Sequence, residues 1–301
     1  MSSITRALGI DAYIALDENR NFAGAAVDML RADGWDGKII DVNEALALMT
    51  RKTLLVVVDT HKSSFVDFPT LYEKASATVV IDHHRKSVDH IKDALIFFHD
   101  PNASSTCEMV TELMRYITPA PTLSPVEAQA MLAGIMLDTK EFVLSTGVRT
   151  FEAAAFLKGK GADTVAVKRL FSNSIESNRK RSEIISAAHI YRGCAIACTA
   201  PGTENARLLS AQAADELLEV SGVKASFVIF DSGKDSVNIS ARSYGDLNVQ
   251  IIMEYLGGGG HRTMAAAQLT GVNMEEAKSK LCEAIDAKYP RTDGEEPTPI
   301  S

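Results

Sequence analysis

One short stretch of the sequence places three potential metal ligands directly behind an apolar segment. Residues 77–82 read Ala-Thr-Val-Val-Ile-Asp, and His83 and His84 follow at once. Carboxylates and neutral imidazoles are ligands that suit Mn²⁺, Zn²⁺ or Fe²⁺. An isolated Asp-His-His segment is equally well explained as the cap of a following helix. The stretch alone therefore leaves both interpretations open.

A second stretch repeats the pattern, which favours a shared site. Residues 54–58 are Leu-Leu-Val-Val-Val, and Asp59 and His61 follow them. Such apolar runs are typical of strands buried on both faces, and open parallel sheets bind ligands at the carboxyl ends of their strands. A third acid, Asp138, ends an apolar helix predicted to begin at Pro125, where its charge opposes the helix dipole. A bound cation would offset that charge, as would an N–H-rich turn or an arginine.

The elements that carry these residues predict an α/β protein. Strands and helices alternate along the first part of the chain, which predicts a mostly parallel sheet with helices on both faces. A polar, charged segment follows and predicts a helical linker, and the region after it alternates strands with fewer helices. The predicted organisation is a first domain over 5–172, the linker over 173–188, a smaller α/β domain over 189–289 and a disordered tail over 290–301.

Composition and charge restrict the class of protein. The chain has 301 residues, of which 46% are apolar and 23% charged, as in ordinary soluble globular proteins. Its formal charge of −8 argues against binding of long nucleic acids, but not against a small phosphorylated substrate. No apolar stretch approaches the roughly 18 residues that span a bilayer, and the N-terminus lacks the apolar core of a signal peptide. We therefore expect the chain to be cytoplasmic.

Two further segments are candidates for anion binding. Gly257, Gly258, Gly259 and Gly260 precede His261, and consecutive glycines permit backbone conformations in which N–H groups converge on an anion. Ser104 lies in a Ser/Thr-rich segment before a predicted helix, where unpaired N–H groups could receive a phosphate. Such serines more often cap the helix, so the second segment is the weaker candidate.

Taken together, these motifs resemble the DHH–DHHA1 phosphoesterase family over about residues 8–289. Within it, the chain is most similar to the catalytic module of the membrane-anchored cyclic-di-AMP phosphodiesterases, which are bacterial nucleotide-signalling enzymes. The motifs that carry the resemblance are Val58-Asp59-Thr60-His61, Asp82-His83-His84, Leu137-Asp138-Thr139 and Gly257-Gly258-Gly259-Gly260-His261, together with the stretches Asn238–Ser243 and Met264–Leu269.

The resemblance implies hydrolysis of cyclic-di-AMP to pApA at a pair of Mn²⁺ ions, with the nucleotide held in a cleft between the two domains. It also implies a membrane-anchored parent protein with this module in the cytoplasm. A homodimer is a separate expectation, because an exposed face left by an absent first strand could promote association. By motif position, the metal ligands would be Asp59, His83 and Asp138, and the catalytic residue beside them His84. The substrate-binding residues would be Arg242, Gly257, Gly258, Gly259, Gly260 and His261, to which the helix-entrance argument adds Ser104.

The chain departs from the family at one point. Family members carry a Gly-His-x-x-x-Asp-x-Asp segment after their first strand, which supplies half of the metal ligands. This chain has no histidine before His61, so we expect an incomplete metal site, a truncated sequence and impaired activity. Two alternatives remain: a nanoRNA exonuclease or pAp phosphatase of the same fold, and a nucleotide-binding sensor without catalysis.

Overall fold

The computed structural model describes residues 1–17, 24–35, 38–117, 123–172, 174–233 and 235–290. The chain separates into two compact units, Met1–Ser172 (unit 1) and Asn173–Ser301 (unit 2). Apart from Pro290, the tail predicted over 290–301 lies outside the described residues. The mixed α/β class predicted from the sequence is confirmed by this architecture.

Unit 1 alternates short strands and helices, as its hydrophobic pattern predicts. Among its described residues, the elements in chain order are α1 (Ser2–Ala7), β1 (Tyr13–Ala15), α2 (Gly24–Ala32), β2 (Lys38–Ile40), α3 (Val42–Leu48), β3 (Leu54–Val58), α4 (Pro69–Lys74), β4 (Ala77–Asp82), β5 (Ile96–His99), α5 (Thr106–Ile117), α6 (Pro125–Asp138), α7 (Val148–Gly159) and α8 (Thr164–Leu170), with a 3₁₀ turn at Ser63–Phe65.

All strand pairs of unit 1 within the described residues are parallel. β1 pairs with β2, and β3, β4 and β5 form a second sheet in that order. β4 is buried on both faces, because Val80 packs in one apolar cluster while the next residue, Ile81, packs in another that includes α5 and α6. The parallel order brings the carboxyl ends of β3 and β4 to the same edge, where the two acidic motifs begin.

The helix that ends at Asp138 forms as its first residues predict. Ser124 accepts a hydrogen bond from the backbone N–H of Glu127, whose carboxylate accepts one from the Ser124 N–H, and Pro125 occupies the first turn. At α3, Asp41 is the N-cap, because its carboxylate accepts from the N–H groups of Asn43 and Glu44.

Unit 2 is built on a larger sheet. Its described elements are α9 (Ile175–Ser186), β6 (His189–Tyr191), β7 (Cys194–Cys198), α10 (Ala206–Leu217), β8 (Ala225–Asp231), β9 (Ser236–Ser243), α11 (Val249–Tyr255), β10 (Gly259–Gly260), β11 (Met264–Thr270) and α12 (Met274–Lys288). Within the described residues, the strand order is β10-β11-β9-β8-β7-β6, and β7–β8 is the parallel pair among antiparallel neighbours.

The sheet of unit 2 is covered on both faces. α11 and α12 pack against one face and α10, with part of α9, against the other. β6 and β7 form a hairpin, because Arg192 and Gly193 both adopt left-handed backbone conformations and reverse the chain. None of the helices in the described part of the chain is long and apolar enough to cross a membrane.

Candidate metal centre

His83 lies between two carboxylates at the edge of the unit 1 sheet. Its Nε2 is 3.6 Å from Asp59 Oδ1 and 3.7 Å from Asp138 Oδ2. Its other ring nitrogen, Nδ1, donates to the backbone carbonyl of Ala103 at 3.3 Å, so the proton of the neutral ring is on Nδ1. Nε2 is buried and has no hydrogen-bond partner among the described residues. An acceptor nitrogen thus faces two acceptor carboxylates with no donor among the described residues.

Asp59 is held in an unusual backbone conformation directly after β3. Its φ of 64° is in the left-handed region, which is uncommon for a residue with a side chain. The hydroxyl of Thr106, the first residue of α5, donates to Asp59 Oδ1 at 2.9 Å. Because the Asp59 carboxylate is otherwise more than half exposed, this hydrogen bond is what orients it toward His83.

Asp138 reaches the same place from the C-terminal end of α6. Burial, followed by the nearby negative charge of Asp59, raises the pKa of Asp138 to about 6, whereas His83 and His84 act in the opposite direction. Two carboxylates that disfavour each other's ionised form are therefore held beside one imidazole. A cation would remove that repulsion.

The three side chains fit a divalent cation. Histidine ring nitrogens that bind metals commonly donate the other ring N–H to a carbonyl, as His83 does to Ala103. Separations of 3.6 and 3.7 Å are too long for hydrogen bonds. They are shorter than twice a metal–ligand bond of about 2.0–2.2 Å, so one cation could contact both atoms of either pair.

The side chains of Asp82 and its neighbour His83 contact different partners. Asp82 is fully buried and accepts from the ring of His61 at Oδ2 and from His84 Nδ1 at Oδ1, the latter at 2.7 Å. Burial opposes ionisation, but the hydrogen bonds from His84 and His61 prevail and hold the pKa of Asp82 well below its usual range. Asp82 is therefore an acceptor for two histidines, and Asp59 is the acid beside His83.

His84, the predicted catalytic residue, lies next to the three candidate ligands. It offers a ring nitrogen within 4.8 Å of ligand atoms of Asp59 and His83. The hydrogen bond with Asp82 raises the pKa of His84, burial acts against it, and the charges of Asp82, Asp59 and Asp138 add to the rise. About half of the side chain is exposed, so a ligand can reach it.

Ser104 is placed less favourably for the predicted contact with substrate. Its side chain is buried, and its hydroxyl donates to the carboxylate of Glu108 at 2.6 Å. The capping alternative is met by the next residue, Ser105, whose hydroxyl accepts from the backbone N–H of Glu108 at 3.0 Å. A substrate contact of Ser104 remains a prediction.

In unit 2, Arg242 lies on β9 with a largely buried side chain. Its Nε donates to Asp215 at 3.2 Å, and its Nη1 donates to the Ala241 carbonyl at 2.9 Å and to the Ser240 hydroxyl at 3.3 Å. β9 pairs with β11, so Arg242 lies opposite Met264. The two family-typical stretches Asn238–Ser243 and Met264–Leu269 are thus neighbouring strands.

The glycine run forms a tight turn followed by a short strand. The N–H groups of Gly257 and Gly258 donate to the carbonyls of Glu254 and Met253 at the end of α11. Gly259 and Gly260 pair with β11. The expected convergence of N–H groups on an anion is therefore wrong for Gly257 and Gly258, whose donors close the helix. The exposed His261 follows directly, and its N–H donates to Met264.

Two residues that fix the site were not predicted. Thr106 orients Asp59, and His61, although part of a predicted motif, contacts Asp82 instead of the candidate ligands. The sequence did contain a signal that Asp82 is not beside the candidate ligands and is therefore free to contact His61. Asp82 and His83 are consecutive residues at the end of a strand, where alternate side chains point to opposite faces.

The sequence matches two domain families. Residues 4–135 match the DHH family, N-terminal domain, and residues 195–289 match the DHHA1 domain. The chain is 47% identical over 280 residues to the cyclic-di-AMP phosphodiesterase GdpP of Geobacillus thermodenitrificans, covering 91% of this chain and 42% of that protein. It is 45% identical over 252 residues to the cyclic-di-AMP phosphodiesterase PdeA of Listeria monocytogenes, covering 83% and 38%. The chain thus spans less than half the length of these relatives.

Other similarities are more distant. The bifunctional oligoribonuclease and PAP phosphatase NrnA of Thermus thermophilus is 27% identical over 214 residues, covering 70% of this chain and 64% of that protein. The crystal structure of an exopolyphosphatase-related protein from Bacteroides fragilis has a TM-score of 0.71 at 18% identity, covering 88% of this chain and 87% of that chain. The similarity to the exopolyphosphatase-related protein shows a shared fold only.

Proposed function

Because the chain belongs to the DHH–DHHA1 family of phosphoesterases, we propose that it is a metal-dependent phosphodiesterase module that hydrolyses cyclic-di-AMP to pApA. The relatives named as cyclic-di-AMP phosphodiesterases are 45% and 47% identical to it. The relative named for oligoribonuclease and PAP phosphatase activity is only 27% identical. Cyclic-di-AMP is therefore the preferred substrate in this proposal.

The observation that carries the proposal is the unpartnered Nε2 of His83. It is buried 3.6 Å from a carboxylate oxygen of Asp59 and 3.7 Å from one of Asp138, with its tautomer fixed by Ala103. Asp59, His83 and Asp138 would hold the cation, for which the mixed nitrogen and oxygen donors favour Mn²⁺. Bound there, the cation would activate a water and stabilise the leaving oxygen of the phosphodiester.

The protein's own side chains would bind and orient the nucleotide. His84, beside the candidate ligands and with a raised pKa, would contact a phosphoryl oxygen as a hydrogen-bond donor. Arg242 and His261 in unit 2 stay predicted substrate-binding residues, as the family resemblance implies. The substrate in this proposal is a dinucleotide or short nucleotide.

The described residues offer three ligand side chains around His83, fewer than two cations need. In this proposal, Asp59, His83 and Asp138 would therefore hold a single cation.

The test is hydrolysis under single-turnover conditions, with the chain in excess over nucleotide and with saturating Mn²⁺. We expect pApA from cyclic-di-AMP, much slower conversion of pApA and pAp, and loss of the reaction on chelation. Asp59→Asn should abolish the reaction, whereas Asp89→Asn, which changes an exposed aspartate bonded only to Ser64 among the described residues, should not. Faster hydrolysis of pAp than of cyclic-di-AMP would instead assign the chain to the oligoribonuclease and phosphatase branch.

A nucleotide-binding sensor is the second candidate, and the observation that favours it is the small number of ligands around His83. Tight binding of cyclic-di-AMP without hydrolysis, in the presence of saturating Mn²⁺, would support the sensor and overturn the enzyme.

A further inference from the structure

We propose that Asp82 is a positioning residue that fixes the ring of His84 with its Nε2 toward the reacting phosphodiester, and that His61 in turn locks the Asp82 carboxylate. The proposal rests on the proposed function, since it is His84 that would contact the substrate. Asp82 and His61 themselves would touch neither the substrate nor a cation.

The first step is the number of bonds that hold His84. Its backbone N–H and its ring Nδ1 both lie on Asp82 Oδ1, at 3.2 and 2.7 Å. Its carbonyl accepts from His99 Nε2 at 2.5 Å, and His99 lies opposite Asp82 in the pairing of β4 and β5. Among the described residues, nothing bonds to Nε2 of His84. Every polar group of His84 other than Nε2 is therefore anchored by a hydrogen bond.

The second step is the tautomer. An ionised carboxylate can only accept, so His84 Nδ1 must carry a proton and donate it to Asp82. Nε2 is then the atom available for a ligand in either protonation state of the ring. A neutral ring with its proton on Nε2 instead would leave Nδ1 as an acceptor facing an acceptor.

The third step explains why the Asp82 carboxylate does not rotate. The backbone N–H of Ser87 donates to His61 Nε2 at 2.9 Å, so His61 carries its proton on Nδ1 and donates it to Asp82 Oδ2. Each carboxylate oxygen thus has its own histidine donor. Asp82 and His61 are almost completely inaccessible to solvent, so water does not compete for these bonds.

The hydrogen bonds of His61 argue against a cation bound by His61, Asp82 and His99. His61, Asp82 and His99 are close enough together to be considered as ligands. Both ring nitrogens of His61 are already used, one as an acceptor from Ser87 and one as a donor to Asp82. A metal ligand needs a free lone pair, so the cluster is a hydrogen-bonded support for His84.

The kinetic test is a double-mutant cycle in the full chain. Asp82→Asn preserves volume but removes one of the two acceptor oxygens, and we expect it to slow single-turnover hydrolysis of cyclic-di-AMP by about 10²-fold or more. Because Asp82 acts through His84, the variant with both Asp82→Asn and His84→Ala should be no slower than His84→Ala alone. If the double variant is slower than His84→Ala by the same factor that Asp82→Asn costs alone, the proposal is overturned. Such a result would mean that Asp82→Asn causes a general structural defect, which slows the reaction whether or not His84 is present.

The second readout does not depend on activity. In ¹⁵N-labelled chain without metal, at a pH where His84 is neutral, His84 should show the chemical shifts of a ring protonated on Nδ1. Asp82→Asn should alter that pattern, while Asp100→Asn, which changes an acid of the neighbouring loop bonded to Arg149, should not. A wild-type His84 protonated on Nε2 overturns the proposal even if Asp82→Asn does not fold. If no nucleotide is hydrolysed, the proposed function fails and this measurement still decides the role of Asp82.

Discussion

The two units differ in what they bury. Among the described residues of unit 2, the polar side chains in the interior are serines and threonines, and the sheet is covered by large apolar residues such as Phe227 and Ile239. The interior of unit 1 contains, in addition, His61, Asp82 and two glutamates, Glu108 and Glu127. Unit 1 therefore carries most of the buried ionisable groups, each held by specific partners.

This difference in buried side chains indicates which unit contributes the reactive groups and which contributes a largely apolar core. Burying a charged group costs free energy unless it is hydrogen-bonded, and in unit 1 the buried acids are bonded while His83 Nε2 is not. Unit 2 has no comparable cluster of acids and histidines in the described residues. We thus expect substitutions at the unit 1 sheet edge to change activity more than stability, and substitutions in the unit 2 core to do the reverse.

The largest expected effect is that of Asp138→Asn. If Asp138 holds the cation as proposed, loss of its carboxylate should lower Mn²⁺-dependent hydrolysis by about 10³-fold or more. Stability without metal should stay the same or rise, because burial and Asp59 raise the pKa of Asp138 to about 6 and thus disfavour its charged form. The checks are single-turnover hydrolysis and urea unfolding in the presence of a chelator.

The matched control is Asp163→Asn in the same unit. Asp163 caps α8 by accepting from the N–H of Val165, and asparagine caps helices about as well as aspartate. Neither activity nor stability should change. If Asp138→Asn instead unfolds unit 1 and leaves turnover per folded molecule unchanged, the contrast between the units is wrong.

The site shows which level of structure the sequence can predict. An apolar run predicted β4, and Ser124, Pro125 and Glu127 are the local signals for the helix that positions Asp138. Those features are local, since they depend on strand periodicity and capping. The hydrogen bond from Thr106 to Asp59 joins residues 47 apart in the chain, so no local pattern encodes it.

Tertiary contacts also changed what the glycine run means. Four consecutive glycines are compatible with an anion site or with a tight turn, and the decision depends on the neighbouring strand. Gly258 and Gly260 lie against the backbone of β11, which cannot be read from their own sequence. The hairpin at Arg192 and Gly193 is hard to predict for a related reason: an arginine with positive φ is uncommon.

The next effect is in the core of unit 2. Ile239 is fully buried in β9 between its neighbours and the helices α11 and α12. Ile239→Ala should lower the free energy of unfolding by about 2–5 kcal/mol. Ile190→Ala, in β6 at 49% exposure, should cost less than about 1 kcal/mol. Urea unfolding followed by circular dichroism measures both, with fluorescence of Trp35, the single tryptophan, as a marker of unit 1. Equal costs would contradict the assignment of stability to this core.

A smaller effect on metal binding is expected in unit 1 when the residue that orients Asp59 is changed. Thr106→Val keeps the shape of the side chain but removes the hydrogen bond to Asp59 Oδ1. Groups that orient metal ligands typically contribute about 10–100-fold to metal affinity, so Mn²⁺ binding measured by calorimetry should weaken by that factor. Thr111→Val is the control, because Thr111 is buried in the same helix and donates to the carbonyl of Cys107. Equal losses in both variants would mean that the threonines act through the packing of α5.

The smallest effect compares two adjacent glycines. A Cβ at Gly258 would lie 2.1 Å from the carbonyl oxygen of Ala266 and 2.6 Å from the Cα of Ala267, both backbone atoms. Gly258→Ala must therefore displace β11, and we expect it to destabilise unit 2 by about 1–3 kcal/mol. At Gly259 a Cβ would meet nothing within 4 Å, so Gly259→Ala should leave the unfolding free energy within about 0.5 kcal/mol. If both variants are equally stable but only Gly258→Ala weakens nucleotide binding, the run is a ligand-binding element first and a packing element second, and the contrast between the two units would need to be redrawn.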